Sequence, residues 1–157
     1  MVAEIPQPKN LYETDYNLWV LDTVQKLENR EIESLDWENL IEEVLGLSRS
    51  DKRKLESLLT RLFEHLLKLK YWKSEIDNNQ NHWKGEIINF RKQIQRLLKD
   101  SPSLKLYLEK VLEQCYQDSR EITAQKTGLA FSTFPTQPWV TLEQILDDNQ
   151  WSEQINK

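Results

Sequence analysis

The stretch LESLLTRLFEHLLKL, residues 55–69, decides the fold. Leu55, Leu58, Leu59, Leu62, Leu66 and Leu69 recur at three- and four-residue steps, the spacing of one stripe along an α-helix. Lys52, Arg53, Lys54, Lys68 and Lys70 fall mostly off that stripe, on the side such a helix turns to water. The pattern predicts a helix over about 50–73. Upstream, Leu40, Ile41, Val44, Leu45 and Leu47 form the apolar side of another helix. Asp36 is its expected cap, with Leu35 before it and Leu40 four residues after, the hydrophobic-staple pattern. Gly46 costs about 1 kcal/mol inside a helix relative to Ala. With Ser48 and Ser50 behind it, it predicts a turn near 46–50; an uninterrupted helix is the alternative. Further upstream, Tyr16, Trp19, Val20, Val24 and Leu27 mark a first helix from a Thr14 cap to Asn29.

Downstream, residues 74–81 hold Asp77 and a cluster of Asn and read as a loop. Trp83, Ile87, Phe90, Ile94, Leu97 and Leu98 mark a helix to about 99. Ser101 as cap and Pro102 at the first helical position open the next. Leu104, Leu108, Val111, Leu112, Cys115, Ser119 and Ile122 carry it to about 126, and Gly128 fits the position just past a helix end. Phe131, Phe134 and Trp139, with Pro135 and Pro138 among them, make 129–140 too apolar for a free segment, so it is expected to pack back. Thr141 and Gln144 form a capping box that opens a short helix to about Asp147. The expectation is therefore all-α: a compact single-domain bundle of about five main helices plus a short C-terminal helix over 12–147. A partly ordered lead-in covers 1–11 and a flexible tail, with Trp151 exposed, covers 148–157. One core is expected from Trp19, Val20, Val24, Leu40, Val44, Leu58, Leu62, Leu66, Ile87, Ile94, Leu108, Val111 and Ile122.

Composition agrees and excludes several classes. Three Gly and five Pro in 157 residues argue against an all-β fold and against glycine-rich phosphate loops. No apolar run approaches the ~20 residues of a membrane span. One cysteine excludes an internal disulfide, and two histidines exclude a three-histidine site within one chain. No basic-then-apolar leader pattern is visible, and the reading is a cytoplasmic protein without cofactor. Net charge is −5 but unevenly spread. Residues 1–47 carry eleven acids against three bases, and residues 48–99 carry thirteen bases against six acids. Such asymmetry fits either acidic helices serving basic ones or a nucleic-acid face.

Read in order, the landmarks are Leu-Tyr-Glu-x-Asp at 11–15 with Trp19, and Leu-Asp-Trp-Glu-Asn-Leu-Ile-Glu-Glu at 35–43. His65-Leu66-Leu67-Lys68, Trp83 with Arg91, Ser101-Pro102-Ser103-Leu104, Phe134-Pro135, Pro138 and Thr141 to Asp147 follow. In these the chain resembles an uncharacterised, mostly cyanobacterial family, the domain-of-unknown-function family number 29, over about residues 11–147. The resemblance implies an all-helical single domain and no particular chemistry. The family often has Cys before the last proline of the run, where this chain has Gln137.

Four constellations bear on chemistry. Glu42, Glu43 and His65 lack the spacing of a di-iron site, since Glu-x-x-His motifs are absent, and a hairpin turning near 48 sets Glu43 against Arg53 instead. His65 and His82 fall ~12 Å apart along such a bundle, too far to share a metal. Arg61 and His65 share a helix face at i and i+4, with Arg91 opposite, and resemble in type the phosphate-holding Arg and acid–base His of helical ribonucleases of the HEPN superfamily, at one spacing too short. Trp72 and Trp83 flank a polar loop in the basic third, where aromatic rings could stack bases. Against each stands a plain structural reading: ion pairs, a half-buried histidine, and tryptophans filling bundle ends. Cys115 reads as a core thiol. With hairpin turns near 33 and 48, Asp15, Trp19, Glu43 and Arg53 gather at one end of the bundle, as a clasp or a ligand site. The expected function is a non-enzymatic protein-interaction or regulatory module, with an unknown protein partner or self-association. The alternative is an RNA-binding or ribonuclease-like protein using the basic helices 48–99 with Arg61 and His65.

Overall fold

The computed structural model describes residues 8–149. Among them lie six α-helices and no strand: α1 Pro8–Thr14, α2 Tyr16–Glu28, α3 Trp37–Tyr71, α4 Ile76–Asp100, α5 Leu104–Thr127 and α6 Leu142–Leu146. The expected tail, with Trp151, lies outside the described residues from 150 onward. The chain forms two compact units, residues 1–50 and 51–157.

In the first unit, α1 begins at Pro8, inside the stretch read as an irregular lead-in. Proline is at home in a first helical turn because its missing N–H would have no intrahelical partner there. The cap of α2 is Asp15 and not Thr14, which ends α1: the Asp15 carboxylate accepts from the Leu18 N–H at 3.0 Å. Asn29 closes α2, and Arg30 follows at φ 60, the left-handed turn that lets the chain reverse. Among the described residues of this unit, Trp19, Thr23 and Leu35 are buried. Val24 and Val44, expected in the core, are exposed, and Val20 and Leu40 are half-buried.

The turn expected at 46–50 is absent. α3 runs without a break for 35 residues, because a single Gly costs only about 1 kcal/mol and the serines around it do not oppose helix strongly. No proline stands in the segment to enforce a stop.

The second unit holds the main core. Leu55, Leu59, Leu62, Leu66 and Leu67 from α3 are fully buried, with Ile87 and Ile94 from α4, Leu108 from α5 and Ile145 from α6. Val111 packs against this cluster at its edge, whereas Ile122 is exposed. The polar stretch read as a loop is helical from Ile76 on. It contains neither Gly nor Pro, the Asn79 side chain donates back to the Glu75 carbonyl at 2.9 Å, and Ile76 packs on the core. α5 starts at Leu104, two residues past Pro102, and ends as expected on Gly128 at φ 72.

Residues 129–147 form a strap over the unit. Phe134 and Val140 are buried and Trp139 packs beside them; Phe131 is exposed under the Arg120 guanidinium, 4.0 Å from its ring centre. The strap is held by side chains reaching its backbone carbonyls. Tyr116 Oη donates to Pro135 at 2.5 Å, Gln117 Nε2 to Thr136 at 2.7 Å, and Arg120 to Phe134 at 3.2 Å. Arg91 Nε donates to Ile145 at 2.8 Å and Gln95 Nε2 to Leu146 at 2.9 Å. The Thr141–Gln144 capping box is present and opens α6.

Candidate functional site

Three places carry the residues that bear on function. The first, in residues 1–50, is an aromatic clasp on Glu43. Tyr12 and Tyr16 donate to its two carboxylate oxygens at 2.5 and 2.7 Å. Both tyrosines pack on Trp19, with ring centres 4.9 and 5.9 Å away. The hydrogen bonds from Tyr12 and Tyr16 hold the Glu43 carboxyl below its ordinary range. The same bonds push Tyr12 up to about 12 and raise Tyr16. The Trp19 indole N–H is buried without a hydrogen-bond partner among the described residues. Of the expected cluster, Trp19 and Glu43 belong to this clasp, and Asp15 serves as the cap of α2 beside it.

Arg53 does not join them. It stands ten residues beyond Glu43 on one helix, not on a facing one, so the expected Glu43–Arg53 pair is replaced by the two tyrosines. The acid next to it, Glu42, pairs with Arg49 at 3.3 Å. Tyr12 was legible only as part of the 11–15 motif, and Tyr16 only as an apolar-face residue; nothing in their spacing pointed to Glu43.

The second place, in residues 51–157, surrounds Arg61 and His65. Both lie against Phe90: the Arg61 guanidinium is 4.8 Å from the ring centre, and the His65 ring meets it edge-on at 5.2 Å. His65 Nδ1 is 2.8 Å from the Arg61 carbonyl, and burial lowers the imidazole below its ordinary range, so it is neutral at pH 7. Glu64, also buried, pairs with Lys126 at 2.5 Å and lies 3.9 Å from Lys68. Arg91 is fully buried and bound to the strap, so it is not presented beside His65 as the ribonuclease-like arrangement requires. Arg53 and Arg61 instead border an open groove of about 540 Å³ with Glu56, Asp118 and Glu121. The acids in that groove offset its two cations. Trp72 and Trp83 stack on each other, centres 5.7 Å apart at 16°, with Trp83 buried. Cys115 is buried as expected, and burial raises its thiol. Among the described residues no three His, Cys, Asp or Glu side chains gather as a metal site would need.

The third place was not expected. Eleven large hydrophobic residues between Tyr16 and Leu47 are exposed, from Leu27 at 36% to Leu47 at 70%. The described residues beyond 50 expose only four. The sequence signal was present, in the four consecutive apolar residues Leu18 to Leu21, which no single-sided helix can bury. No helix is long and apolar enough to cross a membrane among the described residues.

Comparison with known proteins gives one finding. No curated protein and no solved structure matches the chain. A family profile described as "Domain of unknown function DUF29" matches residues 11–151. That span takes in the Tyr12–Glu43 clasp, the leucine core and the strap, and the chain belongs to the DUF29 family.

Proposed function

We propose that this chain is a protein-interaction module whose working surface lies on residues 16–47. The observation that carries the reading is the concentration of exposed hydrophobic side chains there. Monomeric domains rarely leave more than ~300–600 Å² of contiguous apolar surface open to water, and larger patches mark interaction sites. The surface is also acidic, which favours a protein partner over a phosphate backbone.

The RNA-handling reading draws less support. Its chemistry would need Arg61, His65 and Arg91 turned toward one substrate, yet Arg91 is buried against the strap and Arg61 covers Phe90. Its stacking platform would need two open rings, yet Trp72 and Trp83 cover one another.

Two titrations of the full chain separate the readings. An apolar fluorescent dye should bind the native protein, and Val44→Glu should remove most of the signal. Labelled single-stranded RNA should bind no tighter than ~10 µM at 50 mM salt. Tight RNA binding that weakens steeply with salt, the mark of phosphate contacts, would overturn the proposal.

A further inference from the structure

The outer side of α4 carries a second surface, separate from the one on residues 16–47. Lys84, Ile88, Lys92, Gln95, Arg96 and Lys99 recur at three- and four-residue steps, so they share one face of the helix. Lys84 is half-buried and the other five are exposed. From Lys84 to Lys99 the row runs about 22 Å at 1.5 Å per residue. No acid interrupts it: Glu86 and Asp100 fall on other sides of the helix by the same spacing.

Three features of this face go unused by the fold. Its four cations have no carboxylate, carbonyl or ring partner among the described residues. Elsewhere in the unit cations are held: Lys126 on Glu64, Lys105 on Glu143, Arg120 on the Phe134 carbonyl, Lys70 over Trp139. On the strap side, Asp148 lies against the buried Arg91. Next, Lys92, Arg96 and Lys99 stand four and three residues apart, where like charges repel and weaken a helix. Finally, Gly85 lies on the same face, and a Cβ there would meet nothing within 4 Å, so no neighbour requires glycine. Glycine also weakens a helix interior. Local costs gathered on one face, with no compensating contact inside the chain, mark a place shaped for something outside it.

We propose that the Lys84–Lys99 face of α4 is a docking surface for an acidic helical segment of a partner protein. Its carboxylates lie along the cation row, and one apolar side chain sits on Ile88 beside Gly85. Charge sets the sign of the partner, and the length of the row calls for about four turns of helix. Ile88, 37% exposed between Lys84 and Lys92, offers an apolar contact that a phosphate backbone does not use. Gly85 lets a partner backbone come close. Nor is the unit the net-basic domain that nucleic acid favours, since residues 51–157 hold seventeen bases against fifteen acids. No aromatic ring stands in the row to stack a base. A single isoleucine is too little apolar surface to seat the helix in a lipid bilayer.

Fluorescence anisotropy tests it, with a fluorescein-labelled peptide of three Ala-Glu-Leu-Glu-Ala-Ala-Glu repeats titrated with the full chain at 50 mM NaCl. Saturable binding is expected, weakened several-fold at 200 mM NaCl. The triple variant Lys92→Gln/Arg96→Gln/Lys99→Gln should bind at least about tenfold more weakly. Its Tm should be no lower, because repulsion within α4 is removed with the charges. Ile88→Asn should also weaken binding, as a purely coulombic contact would not. Neutralising three exposed cations elsewhere, Lys54→Gln/Lys73→Gln/Lys110→Gln, should leave affinity within about twofold. Should the α4 variant misfold, hydrogen exchange on the unaltered chain serves instead: the peptide should raise protection over 84–99. The proposal is overturned by no binding at 100 µM, by equal losses in the two triple variants, or by Ile88→Asn binding as the parent does. Single-stranded RNA binding more tightly than the peptide also overturns it. Dye binding at Val44 is read separately: a peptide that fails to bind leaves the reading of residues 16–47 standing, whereas tight RNA binding sinks both.

Discussion

Gly46→Ala reports directly on the course of α3. Gly46 lies ten residues inside a 35-residue helix, with ordinary negative φ, and a Cβ built there meets nothing within 4 Å. Ala therefore adds no clash and removes backbone freedom from the unfolded chain, which stabilises by about 0.4–1 kcal/mol. For a chain of this size that raises Tm by roughly 2–4 °C per kcal/mol. Gly128 supplies the opposite control. It stands at φ 72 at the end of α5, where a side chain is strained whatever the space, so Gly128→Ala should destabilise by about 1 kcal/mol. Thermal and urea melts followed at 222 nm, at one fixed protein concentration, measure both. A turn at 46–50 would place Gly46 in a conformation that Ala resists, and the two substitutions would then lower stability together. That result would refute the uninterrupted helix.

Phe134→Ala, which empties a fully buried site under the strap, should cost about 3–5 kcal/mol in urea melts, while Phe131→Ala, on an exposed ring, should cost under ~1 kcal/mol. Glu43 has a lowered carboxyl, so its contribution to folding is complete above the ordinary carboxylate range and is lost as pH falls through the lowered value. Trp19 fluorescence should therefore change only in acid below the ordinary carboxylate range, and Glu43→Gln should abolish the step. Tyr12 works in the other sense: its contribution is complete below pH ~10 and is lost as pH rises through about 12; Tyr107 is pushed up as far, so alkaline titration at 295 nm should show a late phase that Tyr12→Phe lowers in amplitude by one tyrosine. His65, lowered by burial, should stay neutral below the ordinary histidine range; an NMR titration placing it at or above an exposed histidine would show that the packing against Phe90 is wrong.

Most helices were legible because their signals are local. The stripe from Leu55 to Leu69 and the capping pair Thr141–Gln144 each lie within a few turns of chain, and each appears where expected. Gly128 is another such case, a residue whose freedom is needed at one position only. The failures share a different cause. At 46–50 and 74–81 the chain mixes helix formers with Gly, Ser and Asn but lacks a proline, and weak propensity yields to the segments on either side. The site residues were harder, since their partners depend on register between distant segments. Reading a turn at 48 set Glu43 against Arg53; removing it left Glu43 to Tyr12 and Tyr16. The exposed face was missed because periodicity marks an apolar stripe without saying whether the same molecule covers it.

The strap has a consequence for how the chain is made. Two of its anchors join Arg91 to the Ile145 carbonyl and Gln95 to the Leu146 carbonyl, more than fifty residues apart. Contacts that close so long a loop form after the local helices. During synthesis α3, α4 and α5 thus emerge while Arg91, a cation with no exposed surface in the finished fold, still lacks the carbonyl it will bind. A charge without its partner does not enter an apolar interior. The leucine core consequently stays open to water on that side until residue 145 leaves the ribosome, and a message truncated before that point yields a product that is helical but unfinished.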